Sequence, residues 1–236
     1  MKTNPSPYHG YRHPCEIISH AVWLYHRFTL SFRDVEEILA SRGIEVSYES
    51  IRQWCLHFCQ DYAKKIRARQ GRVGDSWYLD EVFIKIKGKQ HYLWRAVDQD
   101  GDTLDILVQS RRNKRAAKKF FRKLLKGLKY CPNRIVTDKL KSYGAAIRET
   151  DLDVEHDTRQ YQNNRAENSH QRSRQQERQM RRFKSPGHAQ RFLSVHGPIN
   201  NLSRQDRHLM SASSYRELRN RGFAEWRKVT GTASWI

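Results

Sequence analysis

The chain has 236 residues, with 45 lysines and arginines against 25 aspartates and glutamates and a formal net charge of +20. That length allows one medium domain with a sizeable core and a small accessory one, and so basic a chain repels itself unless something anionic binds it, which makes nucleic acid the leading partner. No apolar run approaches the roughly 18 residues of a membrane span, and neither a clean amphipathic face nor an anchor favours a membrane surface.

Residues 1–14 lack the apolar core of a signal peptide, so a cytoplasmic protein is expected, its cysteines (Cys15, Cys55, Cys59, Cys131) free rather than bridged. Three helices fill the first third. Pro14 suits a first helical turn, and Ile18, Ala21, Val22, Tyr25 and Phe28 follow at three- and four-residue steps. Ser31 with Asp34 comes close to a capping box, Phe32, Val35, Ile38 and Leu39 form the next apolar face, and Gly43 suits the position just past its end. A third helix from Ser47 turns Ile51, Trp54 and Phe58 inward. Helix, glycine-containing turn and helix match a helix-turn-helix, with Tyr48, Glu49, Arg52 and Gln53 as the outward residues that would meet base edges; an ordinary three-helix bundle fits the same pattern. Cys55, His57 and Cys59 invite a zinc reading, but no second pair at ligand spacing accompanies them, and cysteines beside Trp54 and Phe58 read better as core.

The polar stretch Lys64–Asp75 holds two glycines and marks a linker, set at 67–75, between a helical region 1–66 and a domain 76–205. Trp77–Ile86 reads as a strand, Lys87-Gly88-Lys89 as a hairpin turn, His91–Val97 and Leu104–Gln109 as further strands. Asn113–Leu128 is an amphipathic helix; from Arg111 to Lys129 there are ten basic residues and no acidic one, so Arg111, Arg112 and Lys114 become candidate DNA contacts. Arg134–Thr137 is a short strand, Tyr143–Thr150 a helix and Leu152–His156 a last strand. Helices around Ala189–Leu202 and Tyr215–Val229 close the chain, the second within a separate C-terminal tail, 206–236. The order gives an α/β chain: a helix-turn-helix, then a ribonuclease-H-like mixed five-stranded sheet flanked by helices.

Three carboxylates stand out. Asp80 sits inside an apolar strand, where a charge needs something to offset its desolvation. Alternation along that strand sends Asp80 and Glu81 to opposite faces, so only one is expected to join a given site. Asp138 ends the fourth strand, beside the first in this fold, and Glu167 opens a helix with Asn163 or Asn164 as its cap. From Arg165 to Lys184 the only large apolar residues are Met180 and Phe183, and seven basic residues face two acidic ones, which suits a phosphate backbone. Arg165, Arg174, Arg178, Arg181 and Arg182 are the candidate contacts there. Hard oxygen donors suit Mg²⁺, and two such ions about 3.5–4 Å apart can bracket a scissile phosphate.

The segments Trp77-Tyr78-Leu79-Asp80-Glu81, Ile135-Val136-Thr137-Asp138-Lys139 and Asn163-Asn164-Arg165-Ala166-Glu167-Asn168 together resemble the DDE transposases of bacterial insertion sequences, the branch called insertion sequence family six. Tyr92-Leu93-Trp94-Arg95-Ala96-Val97-Asp98, Arg111-Arg112-Asn113-Lys114 and Arg178-Gln179-Met180-Arg181-Arg182-Phe183-Lys184-Ser185 extend the match, which runs from about Phe32 to about Leu202. The resemblance implies a catalytic triad of Asp80, Asp138 and Glu167 holding two Mg²⁺ ions, with Mn²⁺ as a substitute. It places Arg174 where such enzymes usually carry a basic residue, commonly lysine, two helical turns after the glutamate. It further implies binding of double-stranded DNA at terminal inverted repeats and at a target, metal-dependent cleavage and strand transfer, and a homodimer or larger assembly. A nuclease that cuts without joining and a helix-turn-helix regulator are the rival readings.

Overall fold

The computed structural model describes residues 6–71, 73–150, 152–159, 163–180, 182–203 and 210–232, excluding the side chains of residues 164, 165, 167–169 and 172. In chain order the elements are α1 (Cys15–Arg27), α2 (Phe32–Ala40), α3 (Tyr48–Arg69), β1 (Ser76–Ile86), β2 (Lys89–Asp98), β3 (Thr103–Gln109), α4 (Lys114–Leu128), β4 (Arg134–Thr137), α5 (Lys141–Glu149), β5 (Glu155–Asp157), α6 (Asn164–Gln179), α7 (Pro186–Asn201) and α8 (Ala212–Thr230). They form two compact units, Met1–Ala68 with Leu202–Ile236, and Arg69–Asn201. No helix among the described residues is long and apolar enough to cross a membrane.

The first unit is all helical. Ser31 caps α2 by accepting from the Asp34 amide at 3.2 Å, while the Asp34 carboxylate accepts from the Ser31 amide at 2.7 Å, a complete capping box. Gly43 then turns the chain with φ +74°, a conformation a side chain would strain. α3 continues to Arg69, beyond the Lys64 at which the polar stretch begins. Tyr62, Ala63 and Ile66 keep one face buried there, so the lysines and arginines between them only coat the solvent side of a helix.

α8 belongs to this unit too. Trp226 packs edge-on against Tyr62 at 5.3 Å between ring centroids, and Phe223 lies 5.2 Å from Trp23. The buried Tyr8 hydroxyl donates to the Thr230 carbonyl at 2.6 Å and shares a 2.6 Å hydrogen bond with the Tyr62 hydroxyl. Both ends of the chain are thus sewn to α3.

The second unit is built on a five-stranded sheet of order β3-β2-β1-β4-β5. β1, β2 and β3 are antiparallel neighbours, while β4 lies parallel to β1 and β5 parallel to β4. This is the expected ribonuclease-H-like mixed sheet. Lys87 and Gly88, both at positive φ, make the two-residue loop between β1 and β2. One core fills the space under α4 and α5, with Trp77, Leu79, Trp94, Ala96, Phe120, Phe121, Ile135 and Tyr143 fully or almost fully buried. At the β3 edge, α7 supplies Gln190 and Asn201, which hydrogen-bond the backbone of Ile106, Val108 and Thr103 and so occupy strand groups that would otherwise invite another strand.

Candidate functional site

The site begins where β1 and β4 run side by side, with Leu79 level with Thr137. One residue further along each strand stand Asp80 and Asp138. Asp80 lies on the face covered by α6, where His170 Nε2 is 3.3 Å from Asp80 Oδ2. Glu81, next in the strand, shares the opposite face with Trp77 and Leu79. Even so, Asp80, Glu81 and Asp138 each offer an oxygen, and these three atoms all lie within 4.8 Å of one another. The expectation that only one of Asp80 and Glu81 can join a site is therefore corrected. Alternation holds, but β4 stops at Thr137, so no further strand residue separates the two faces and Asp138 meets carboxylates arriving from both.

Arg112, from the turn before α4, ties this cluster together. Its guanidinium donates to Glu81 at 2.5 Å and to Asp138 at 3.3 Å. Burial pushes the Glu81 carboxyl up to about 7; the Tyr143 hydroxyl and Arg112 oppose this, and the charge of Asp138 adds to it. The Asp138 carboxyl is raised as well, first by burial and then by Asp80, against the pull of the Leu140 amide and Arg112. Glu81 Oε2 is buried with no well-aligned donor among the described residues. Crowded, partly buried carboxylates are a donor set that a hard divalent cation would satisfy.

α6 covers the other side. Ala166, His170, Ser173 and Gln176 recur at helical spacing and are buried, and the helix packs on β1 and β2. A stripe of small and polar residues holds it where an apolar stripe would be usual. Arg95, level with Asp80 on β2, donates to Ser173 Oγ at 2.8 Å and to Thr103 Oγ1 at 2.7 Å. Asn163, just before α6, donates to the Leu79 carbonyl at 2.8 Å. His170 is held below its ordinary pKa by burial, against the pull of Asp80. Glu167 is one turn before His170 on this helix, and its side chain lies outside the described residues, as does that of Arg165 and the whole of Arg181.

The sequence reading set Glu81 aside on alternation and missed His170, Arg95 and Ser173. Arg95 carried a usable signal, since a charge inside the apolar strand Tyr92–Val97 invites the question asked of Asp80. The expected DNA contacts fall in three places. Arg174, Arg178 and Arg182 are exposed on or just after α6, and Arg111 is exposed before α4. Arg112 is engaged with the carboxylates, and Lys114 pairs with Glu149, as Lys118 does at 3.0 Å. Tyr48, Glu49, Arg52 and Gln53 open α3, where the Arg33 guanidinium sits 4.3 Å from the Tyr48 ring centre.

Glu49 accepts from Arg52 at 2.8 and 2.7 Å and from Gln53 at 2.8 Å, and these hydrogen bonds, Arg52 first, hold its carboxyl down at about 2. Arg52 is thereby paired with Glu49 at the exposed start of α3. Glu49→Gln should release it, raise DNA affinity at low salt and steepen the fall of log affinity with log salt by about one, the increment for one added phosphate contact. Anisotropy titrations across a salt series measure this, and an unaltered slope rules out Arg52 as a held-back contact.

A family model of the DDE domain matches residues 74–206, more than half of the chain. The transposase for insertion sequence-like element IS431mec of Staphylococcus aureus is 34% identical over 160 residues, covering 66% of this chain and 71% of that protein. The transposase for insertion sequence element IS257 in transposon Tn4003, also from Staphylococcus aureus, shows the same identity and coverage. Among solved structures, the HTLV-2 integrase catalytic core domain in complex with magnesium is similar in its trimeric form, with 14% identity, 61% of this chain and 94% of that chain covered and a TM-score of 0.41. Its dimeric form gives 20% identity, 38% and 63% coverage and a TM-score of 0.33.

Proposed function

Because this chain belongs to the DDE transposases of insertion sequence family six, we propose that it binds the inverted repeats ending a mobile element, cuts the DNA there and joins the freed end to a target, with Asp80, Asp138 and Glu167 as its catalytic carboxylates. The observation that carries this reading is the meeting of Asp80 and Asp138, together with Glu81, each with an oxygen within 4.8 Å of the others where β4 ends beside the middle of β1. Asp80, Asp138 and Glu167 would hold two Mg²⁺ ions, or Mn²⁺ in their place. When bound, these metals supply Lewis acidity to both the attacking and the leaving oxygen of a phosphodiester.

The protein's own groups have other tasks. Arg112 fixes Asp138 against Glu81 and offsets part of their mutual repulsion in the absence of a cation. His170, its pKa lowered by burial, can donate a ring N–H to Asp80 and so orient it. The exposed Arg174, Arg178 and Arg182 offer charge to a DNA backbone, and α3 presents Tyr48, Glu49, Arg52 and Gln53 to a groove. No serine, cysteine or tyrosine nucleophile is needed, since water attacks in cleavage and the freed 3′-hydroxyl attacks in joining. Two element ends must be held at once, which calls for a homodimer or larger assembly on double-stranded DNA.

The test is a strand-transfer reaction with DNA fragments carrying the element's terminal repeats and a plasmid target. Joined products are expected with Mg²⁺ or Mn²⁺, and none after chelation. Hydrolysed ends without joining would replace this reading with a nuclease, and binding without either product would leave a regulator.

A further inference from the structure

We propose that His26, Cys55 and Cys59 form a binding site for a zinc-type cation inside the helical unit, separate from the carboxylate cluster. Their ligand atoms all lie within 4.8 Å of one another, and all three residues are buried, at 3%, 8% and 2% exposure respectively. Cys55 and Cys59 are four residues apart on α3, which puts both sulfurs on one helix face. His26, in the last turn of α1, reaches across so that its Nε2 stands 3.1 Å from Cys59 Sγ. The histidine nearest in sequence, His57, lies on the exposed side of α3 against Tyr11 and Phe58. Spacing alone therefore could not reveal this constellation, because its third member lies 55 − 26 = 29 residues upstream.

A single buried cysteine behaves as a small hydrophobe. Two that face one buried histidine make a different environment. Zinc holds thiolate sulfur at about 2.3 Å and imidazole nitrogen at about 2.0–2.1 Å, so its tetrahedral ligands lie roughly 3.4–3.8 Å apart, within reach of small side-chain adjustments here. Charge favours the same assignment. A divalent cation with two thiolates and a neutral imidazole sums to zero, and a neutral cluster carries little of the penalty for burying charge. The cation displaces the proton of each thiol to solvent as the two metal–sulfur bonds form. A solvent molecule can take the fourth position. The consequence is a clamp between α1 and α3, fixing the helix that carries Tyr48 and Arg52.

Cobalt titration of the full-length, metal-stripped protein tests this, because thiolate-to-cobalt charge transfer absorbs in the near ultraviolet and the oxygen donors at Asp80 and Asp138 give no such band. The band is expected to saturate at about one cobalt per site, to disappear on adding zinc, and to fall at least tenfold in Cys55→Ser/Cys59→Ser while persisting in His57→Ala. No band in the folded wild-type protein at excess cobalt overturns the proposal, whether or not the double variant folds. A band that the double variant retains overturns it equally.

Discussion

Asp80→Asn is expected to lower DNA cleavage and joining by on the order of 10³-fold or more, the loss of several kcal/mol of transition-state charge stabilisation. The amide has the shape of the carboxylate and can keep a contact to His170, but it brings no negative charge to hold a cation. Glu167→Gln should match it. Glu81→Gln should cost much less, because the Glu81 carboxyl is engaged by Arg112 and pushed up to about 7 by burial, so it already carries a proton in a large share of molecules at neutral pH. Affinity for element-end DNA should stay at the wild-type level in all three. Single-turnover cleavage of labelled ends gives the rates. A Glu81→Gln defect as deep as that of Asp80→Asn, with Glu167→Gln near wild type, would transfer the third carboxylate role from Glu167 to Glu81.

The second large effect lies in the helical unit. Trp226 is 5% exposed and packs on Tyr62, so Trp226→Ala should cost about 3–5 kcal/mol, the usual price of truncating a buried large aromatic. A loss of that size is comparable with the whole stability of many domains, about 5–15 kcal/mol. Hydrogen exchange on the full chain should show amides in α1, α2, α3 and α8 losing protection together, while those of β1, β2 and β4 keep theirs. DNA binding should fall with the helical amides. If α1–α3 stay protected in Trp226→Ala, α8 is an accessory and not a member of that core.

Much of the fold was legible because periodicity and turn chemistry are local. The Ser31–Asp34 cap, the Lys87-Gly88 loop and the amphipathic α4 each write their geometry into a few neighbouring residues. β5 was harder. It occupies Glu155–Asp157 rather than Leu152–His156, because its register is set by the four-residue β4, while Leu152 and Val154 turn into the core instead. α3 was cut short by a composition rule that cannot see which side of a helix a lysine coats. Asp80 and Asp138 were visible as charges at unusual places in strands. Glu81 was dismissed on alternation, a rule about one strand that says nothing of where its neighbour ends. The stripe of Ala166, His170, Ser173 and Gln176 looked like a helix with no inner face, since its partners, Asp80 and Arg95, lie about 75 or more residues away.

The helical unit is assembled from both ends of the chain, with the sheet-bearing unit inserted between Ala68 and Leu202. Domains emerging from a ribosome generally fold in order of synthesis. Here that order inverts: the inserted unit can finish while α1–α3 still wait for α8, whose Trp226 and Thr230 complete their core. Translation halted between Asn201 and Ala212 would release a chain able to build its carboxylate cluster but not its helical unit. A messenger truncated between those codons would thus give a product that keeps the carboxylate cluster and lacks the completed helical unit.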